Sequence, residues 1–215
     1  FAPPKKSEKE IDPARKREAF YHEVLELQDT FTALEECRMP TIAAIQGGCI
    51  GGAIDMAAAC DMRYCSENAF FKIAEVDIGI AADVGTLQRL PSLIPLAVLR
   101  ELAYTGRKCD SAEAKSLGLV NEVYSSVDNM MEEVQKLAQT IASKSPLVTR
   151  VIKKQINYAR DNSVRDSLEY HAMWNASLIS HKDTETALTA FMNKSEGEFD
   201  DLEEVKSFWE KEGLI

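Results

Sequence analysis

Three carboxylates and a glycine-rich turn are the residues here whose types and spacing could do chemistry. Gly47, Gly48, Gly51 and Gly52 fall within six residues, between the apolar run Thr41–Ile45 and the small-residue run Ala53–Cys60. Glycines in such a turn let backbone approach a ligand closely. The turn lacks the Lys-Ser/Thr of a phosphate-binding loop and the G-x-G-x-x-G spacing of a dinucleotide fold, and the chain has no G-x-S-x-G. What remains is a helix start with unpaired N–H groups and the positive end of a dipole. It suits a developing oxyanion such as an enolate, although tight strand–helix packing would ask for the same glycines. Asp55, Glu75 and Asp83 each sit among apolar residues: Ala53-Ile54 before the first, Phe70-Phe71-Lys72-Ile73-Ala74 before the second, Gly79-Ile80-Ala81-Ala82 before the third. Loss of water disfavours a charged carboxylate and raises its pKa, and two such groups close together split further, which makes acid/base pairs near neutrality. Each also has an ordinary reading. Asp55 is a dipole-favoured acid in a first helical turn, Asp83 an N-cap for a helix starting at Val84, and Glu75 a charge at a strand end.

Other chemistries find no support. His22, His171 and His181 lie on polar or helical segments away from the glycine turn, so nucleophilic Ser/His or Cys/His catalysis is not indicated. The five cysteines, Cys37, Cys49, Cys60, Cys65 and Cys109, form no C-x-x-C pair and no metal-ligand spacing. They read as buried free thiols in a reducing compartment, and no metal site is expected.

The elements that must position the site follow from periodicity. Asp12-Pro13 is a helix start, and Phe20, Val24, Leu27, Phe31 and Leu34 recur at +4 and +3 spacing, which predicts a long amphipathic helix ended by Pro40. Thr41–Ile45 reads as a buried strand, Ala53–Cys60 as a helix buried nearly all round, and Met62–Cys65 and Ala69–Ile73 as two further strands. A short helix is expected to end near Leu90-Pro91, followed by a helix over Val98–Thr105. Asp110-Ser111-Ala112-Glu113 is a capping-box-like start with Gly118 as its stop. Leu119–Tyr124 reads as a strand and Asp128–Ser143 as an amphipathic helix. From Ser145-Pro146 onward the pattern is helical. Leu168, Ala172, Asn175 and Leu178 mark one stripe there, and Ala187, Leu188, Phe191 and Met192 another. Trp174 and Trp209 read as core or interface packing. Short strands alternating with helices, then helices alone, give an α/β fold with an α-helical C-terminal part.

Composition narrows the function. The chain has 215 residues, 35 acidic against 25 basic, a net charge of −10 and 45% hydrophobic residues. The acidic balance argues against a nucleic-acid groove, and no apolar run approaches the ~20 residues of a membrane span. The opening Phe1-Ala2-Pro3-Pro4-Lys5-Lys6 has neither signal- nor transit-peptide character and reads as a surface loop from inside a longer chain.

The segment Pro40–Asp55, Pro40-Thr41-Ile42-Ala43-Ala44-Ile45-Gln46-Gly47-Gly48-Cys49-Ile50-Gly51-Gly52-Ala53-Ile54-Asp55, resembles the central motif of the enoyl-CoA hydratase/isomerase (crotonase) superfamily. Cys60–Tyr64, Glu75, Gly85–Pro91, Tyr104–Arg107, Ala112–Val120 and Ser143–Pro146 continue the match in order, over about residues 13 to 195. The resemblance implies a ββα spiral core over 1–142, its first strands expected upstream of this chain together with a second oxyanion donor and part of the adenine pocket. It also implies a helical oligomerisation region over 143–215. Hydratases of the superfamily carry Glu at the position of Asp55 and Gly at that of Asp83. The triplet Asp55, Glu75, Asp83 is instead similar to that of the branch that isomerises 3,5-dienoyl-CoA to 2,4-dienoyl-CoA in unsaturated fatty-acid β-oxidation. On that resemblance Gly52 N–H holds the thioester oxygen, with Gly48 beside it. Asp83 takes the C2 proton, Glu75 serves C6, and Asp55 orients the pair. The substrate would be an acyl-CoA thioester, with CoA part of the substrate and no separate cofactor. The assembly would be a homotrimer or homohexamer. The protein would be intracellular, in a mitochondrial or peroxisomal matrix if eukaryotic and cytoplasmic if bacterial. A hydratase, a Δ3,Δ2-enoyl-CoA isomerase and a non-catalytic protein of the same fold are the alternatives.

Overall fold

The computed structural model describes residues 11–206. The opening loop at Phe1 and the tail residues Phe208 and Trp209 lie outside the described residues. Contacts divide the chain into two units, residues 11–36 with 41–127, and residues 37–40 with 128–206.

In the first unit, helix α1 (Pro13–Glu36) starts where Asp12 Oδ1 accepts the Ala14 N–H at 2.9 Å, as the Asp-Pro pair predicts. Its apolar stripe is only half covered: Val24, Phe31 and Leu34 are half-buried, and Phe20 and Leu27 are exposed. Strands β1 (Ile42–Ile45) and β2 (Gly48–Ile50) follow, with Gly47 at φ +63 turning the chain between them. Then come α2 (Gly52–Ala59), β3 (Met62–Ser66) and β4 (Phe70–Lys72). A 3-10 turn spans Glu75–Ile78, followed by α3 (Thr86–Arg89) with a 3-10 extension over Leu90–Ser92, and α4 (Leu96–Thr105). Strand β5 (Cys109–Asp110), α5 (Ser111–Leu117) and β6 (Glu122–Tyr124) complete the unit.

The strands make two sheets. One has the order β1-β3-β6, all parallel; the other has β2-β4-β5, with β2 and β4 parallel and β5 antiparallel. Each of the first two strand pairs therefore gives one strand to each sheet before a helix returns the chain, which is the strand-strand-helix spiral. Cys49, Cys65, Phe71 and Cys109 meet in the core with Ile54, Ala57, Leu90 and Leu99. Cys49, Cys65 and Cys109 are buried free thiols as expected, and burial pushes them up to about 12, about 11 and about 12 respectively. Cys37, in the second unit, is exposed, because it lies in the loop after α1. Helix α2 is not buried all round: Ile54, Asp55, Ala57 and Ala59 are inside, whereas Ala53 and Met56 are exposed.

The second unit holds α6 (Val127–Ala142) from Asp128 on, α7 (Pro146–Asp161), α8 (Val164–Leu178) and α9 (His181–Asn193). Ser145 caps α7 by accepting the Val148 N–H at 3.3 Å. Trp174 is half-buried and meets Tyr170 edge-on, and Tyr170 stacks on Tyr158 at 4.0 Å. Among the described residues no helix is long and apolar enough to cross a membrane, and no cluster could hold a metal ion.

Candidate active site

The site is assembled at the start of α2. Strand β2 ends at Ile50, and Gly51 breaks the strand direction at φ +55, a left-handed turn that glycine adopts without steric cost. The Gly51 N–H is tied to the carbonyl of Lys72 at the end of neighbouring β4, at 3.1 Å. Helix α2 then begins at Gly52 with no side-chain cap, and Gly52 and Ala53 are exposed. An uncapped, exposed helix start offers N–H donors and the positive dipole end to a ligand.

Glu75 is brought to this turn by the same strand pair. It opens the 3-10 turn that follows β4, and its Oε1 lies 3.0 Å from where a Cβ on Gly51 would stand. Its Oε2 is buried with no hydrogen-bond partner. The turn is held by the Lys72–Asp77 ion pair at 2.7 Å and by Ile80 N–H on the Glu75 carbonyl at 3.1 Å. Gly48 opens β2 opposite Phe70, and a Cβ there would stand 2.9 Å from the Phe70 ring, so ring packing explains this glycine.

Asp55 is 0% exposed. Its Oδ1 accepts the N–H of Thr86, the first residue of α3, at 2.5 Å. A carboxylate from α2 thus caps a helix whose own N-cap, Gly85, offers no side chain. Asp55 Oδ2 and Thr86 Oγ1 are buried without partners. Unsatisfied buried polar atoms are costly and mark places where a sequence serves something other than stability.

Asp83 departs from its expected setting: it is exposed. It does not cap a helix, because α3 starts at Thr86 rather than Val84 and Gly85 precedes it at φ +136. The apolar neighbours Ala82 and Val84 turn into the core and leave the Asp83 side chain outward.

Several site residues carry no signal in the sequence pattern. Gln28, Thr32 and Glu35 of α1 reach the Asp83 segment directly or through Arg89. Each follows a residue of the apolar stripe by one position (Leu27, Phe31, Leu34), so the flank of that stripe was the available cue. Phe31 itself comes within 3.9 Å of where a Gly52 Cβ would be.

The pattern of the enoyl-CoA hydratase/isomerase family matches residues 10–202. The chain is similar to the peroxisomal Delta(3,5)-Delta(2,4)-dienoyl-CoA isomerase of Arabidopsis thaliana, 44% identical over 188 residues, which cover 87% of this chain and 68% of that protein. It is also similar to the mitochondrial Delta(3,5)-Delta(2,4)-dienoyl-CoA isomerase of Rattus norvegicus, 47% identical over 170 residues, 79% of this chain and 52% of that protein. The chain thus spans about half the length of the rat relative. Among solved structures, enoyl-CoA hydratase from Bacillus anthracis superposes with a TM-score of 0.79 at 31% identity, over 88% of this chain and 72% of that one.

Proposed function

We propose, from the premise that the chain belongs to the enoyl-CoA hydratase/isomerase family, that it isomerises 3,5-dienoyl-CoA to 2,4-dienoyl-CoA. The observation that carries this reading is the Glu75 carboxylate set against the Gly51 turn at the uncapped start of α2, with Asp55 joining that helix to the Asp83 segment. In the reaction, Asp83 as carboxylate removes a proton from C2. The electron pair spreads along the conjugated chain and onto the thioester oxygen, where the Gly52 N–H stabilises it. Glu75 as the acid delivers a proton to C6, so one C–H bond breaks and one forms while both double bonds move by one carbon. The carboxyl groups then exchange protons with each other or with water to restore the starting state. Coenzyme A arrives with the substrate, and the proton transfers ask for no resident cofactor.

Asp55 keeps the Asp83 segment in register with α2. Its shorter side chain, where hydratases place Glu, leaves a site less suited to holding an attacking water. The exposed apolar residues of α8 and α9 support a homotrimer or homohexamer. The organelles of the two dienoyl-CoA isomerase relatives support a mitochondrial or peroxisomal matrix if the source is a eukaryote.

The test is incubation with a 3,5-dienoyl-CoA, which should generate the absorbance of the conjugated 2,4-dienoyl thioester. Asp83→Asn should lower that rate by about 100-fold or more. A rate within about threefold of the unaltered protein removes Asp83 as the base. Hydration of a 2-enoyl-CoA with no turnover of the 3,5-diene would favour a hydratase instead.

A further inference from the structure

The Asp83 carboxylate makes no hydrogen bond of its own among the described residues, so its direction is set by its backbone alone. That backbone is held at three points. Gln28 Nε2 donates to the Asp83 carbonyl at 2.6 Å. Arg89 Nη1 donates to the Val84 carbonyl at 3.4 Å. The Thr86 N–H donates to Asp55 Oδ1 at 2.5 Å. Arg89 is in turn gripped by α1: its Nε donates to Glu35 Oε2 at 2.8 Å and its Nη2 to Thr32 Oγ1 at 3.3 Å. Gly85 lies beneath the guanidinium, where a Cβ would stand 1.8 Å from Nη1.

Gln28, Thr32 and Glu35 are spaced +4 and +3, which places them in one row along α1. The Arg89 and Glu35 side chains are only 12% and 15% exposed. An ion pair this far from water gives little net stability, because desolvation offsets its attraction, but it fixes geometry well. The planar guanidinium reaches a carboxylate, a hydroxyl and a carbonyl at once, which an ammonium cannot do.

We propose that the Gln28–Thr32–Glu35 row and Arg89 form a clamp that positions the Asp83 carboxylate for proton transfer. The proposal rests on Asp83 being the base. Arg89 and Gln28 are positioning residues that act through Asp83 and touch no substrate. Displacing a reacting group by about 1 Å costs on the order of 100-fold in rate, so small slack in the clamp is read out in turnover.

The experiment compares Arg89→Lys, which keeps charge but loses the fork, with the milder Gln28→Ala, each alone and combined with Asp83→Asn. Amide hydrogen exchange over residues 83–89 should rise in both single variants while the melting temperature of Gln28→Ala stays close to that of the unaltered protein. With 3,5-dienoyl-CoA, kcat should fall about tenfold or more for Arg89→Lys and less for Gln28→Ala, with KM within about threefold. In the Asp83→Asn background the same changes should alter the residual rate by less than about twofold, because the group they position is gone. Unchanged exchange in both variants overturns the clamp, and so does an equal loss of rate with and without the Asp83 carboxylate. If exchange responds as expected but the unaltered protein does not isomerise the diene, the hold on the Asp83 segment stands, and its role in proton transfer falls with the proposed reaction.

Discussion

At Gly51 a backbone conformation and a side chain ask for the same absence of a Cβ. Its φ of +55 is strained for an L residue, and the space a Cβ would need is taken by Glu75 Oε1 at 3.0 Å. Gly51→Ala is therefore expected to cost about 1–2 kcal/mol of backbone strain and to push the Glu75 carboxylate off the turn. Urea unfolding should show the first effect. A fall of about tenfold or more in diene turnover should show the second. Stability and turnover both equal to those of the unaltered protein would remove Glu75 from the site as described. Asp55, Glu75 and Asp83 were legible as candidates because acids among apolar residues stand out in one dimension. Their separate environments were not legible. Asp55 is enclosed and Asp83 is exposed although both follow short apolar runs, because Asp55 lies on the inward face of α2, whereas in the Asp83 loop Ala82 and Val84 pack inward and leave the side chain between them outward.

Helix α2 depends on contacts at both ends. Near its start, Asp55 spends one oxygen on the N–H of Thr86. At its end, the buried Arg63 of β3 donates to the carbonyls of Ala57 at 3.3 Å and Cys60 at 2.7 Å, and to Leu119 at 2.8 Å. Burial pulls the Arg63 pKa below its ordinary value, opposed by the neighbouring Cys60 and Asp61. A cation on the last carbonyls of a helix suits the negative end of its dipole. Arg63→Met keeps most of the volume but removes the three hydrogen bonds to these carbonyls, of which Ala57 also accepts the Cys60 N–H at 3.3 Å. It should lower stability by roughly 2–4 kcal/mol in chemical denaturation, and a loss below about 0.5 kcal/mol would refute that role. Two helix starts were readable from their caps: Asp12 accepts the Ala14 N–H and Asp110 the Glu113 N–H. The caps Ser145, Ser163 and Ser180 of α7, α8 and α9 were not singled out. Strand β2 and the 3-10 turn at Glu75 were not. Gly48–Ile50 is three residues of mixed propensity and becomes a strand only by pairing with β4, and a 3-10 turn has no apolar period of its own.

Over the whole molecule, the second unit exposes Leu168, Leu188, Phe191 and Met192, the last two at 82% and 81%. Within that unit a cleft of about 540 Å³ is lined by Val148, Ile152, Leu178, Ile179 and Leu188 among others. Exposed apolar residues grouped in this way are a candidate interaction face, on which the proposed assembly would place a second copy. Phe191→Asp combined with Met192→Asp should shift the protein to a smaller species in light scattering while the far-ultraviolet circular dichroism is kept. An unchanged mass would exclude these residues from the interface. Most of the order of elements, the caps at Asp12 and Asp110 and the family were decided by the sequence itself, because they rest on local spacing and collinear motifs that survive without a third dimension. The tertiary structure alone decided that Asp55 reaches across to α3, that Glu75 meets the Gly51 turn, and that a polar row on α1 holds the Asp83 segment. Those contacts join residues 24 to 57 positions apart, and such separations leave no periodic trace along the chain.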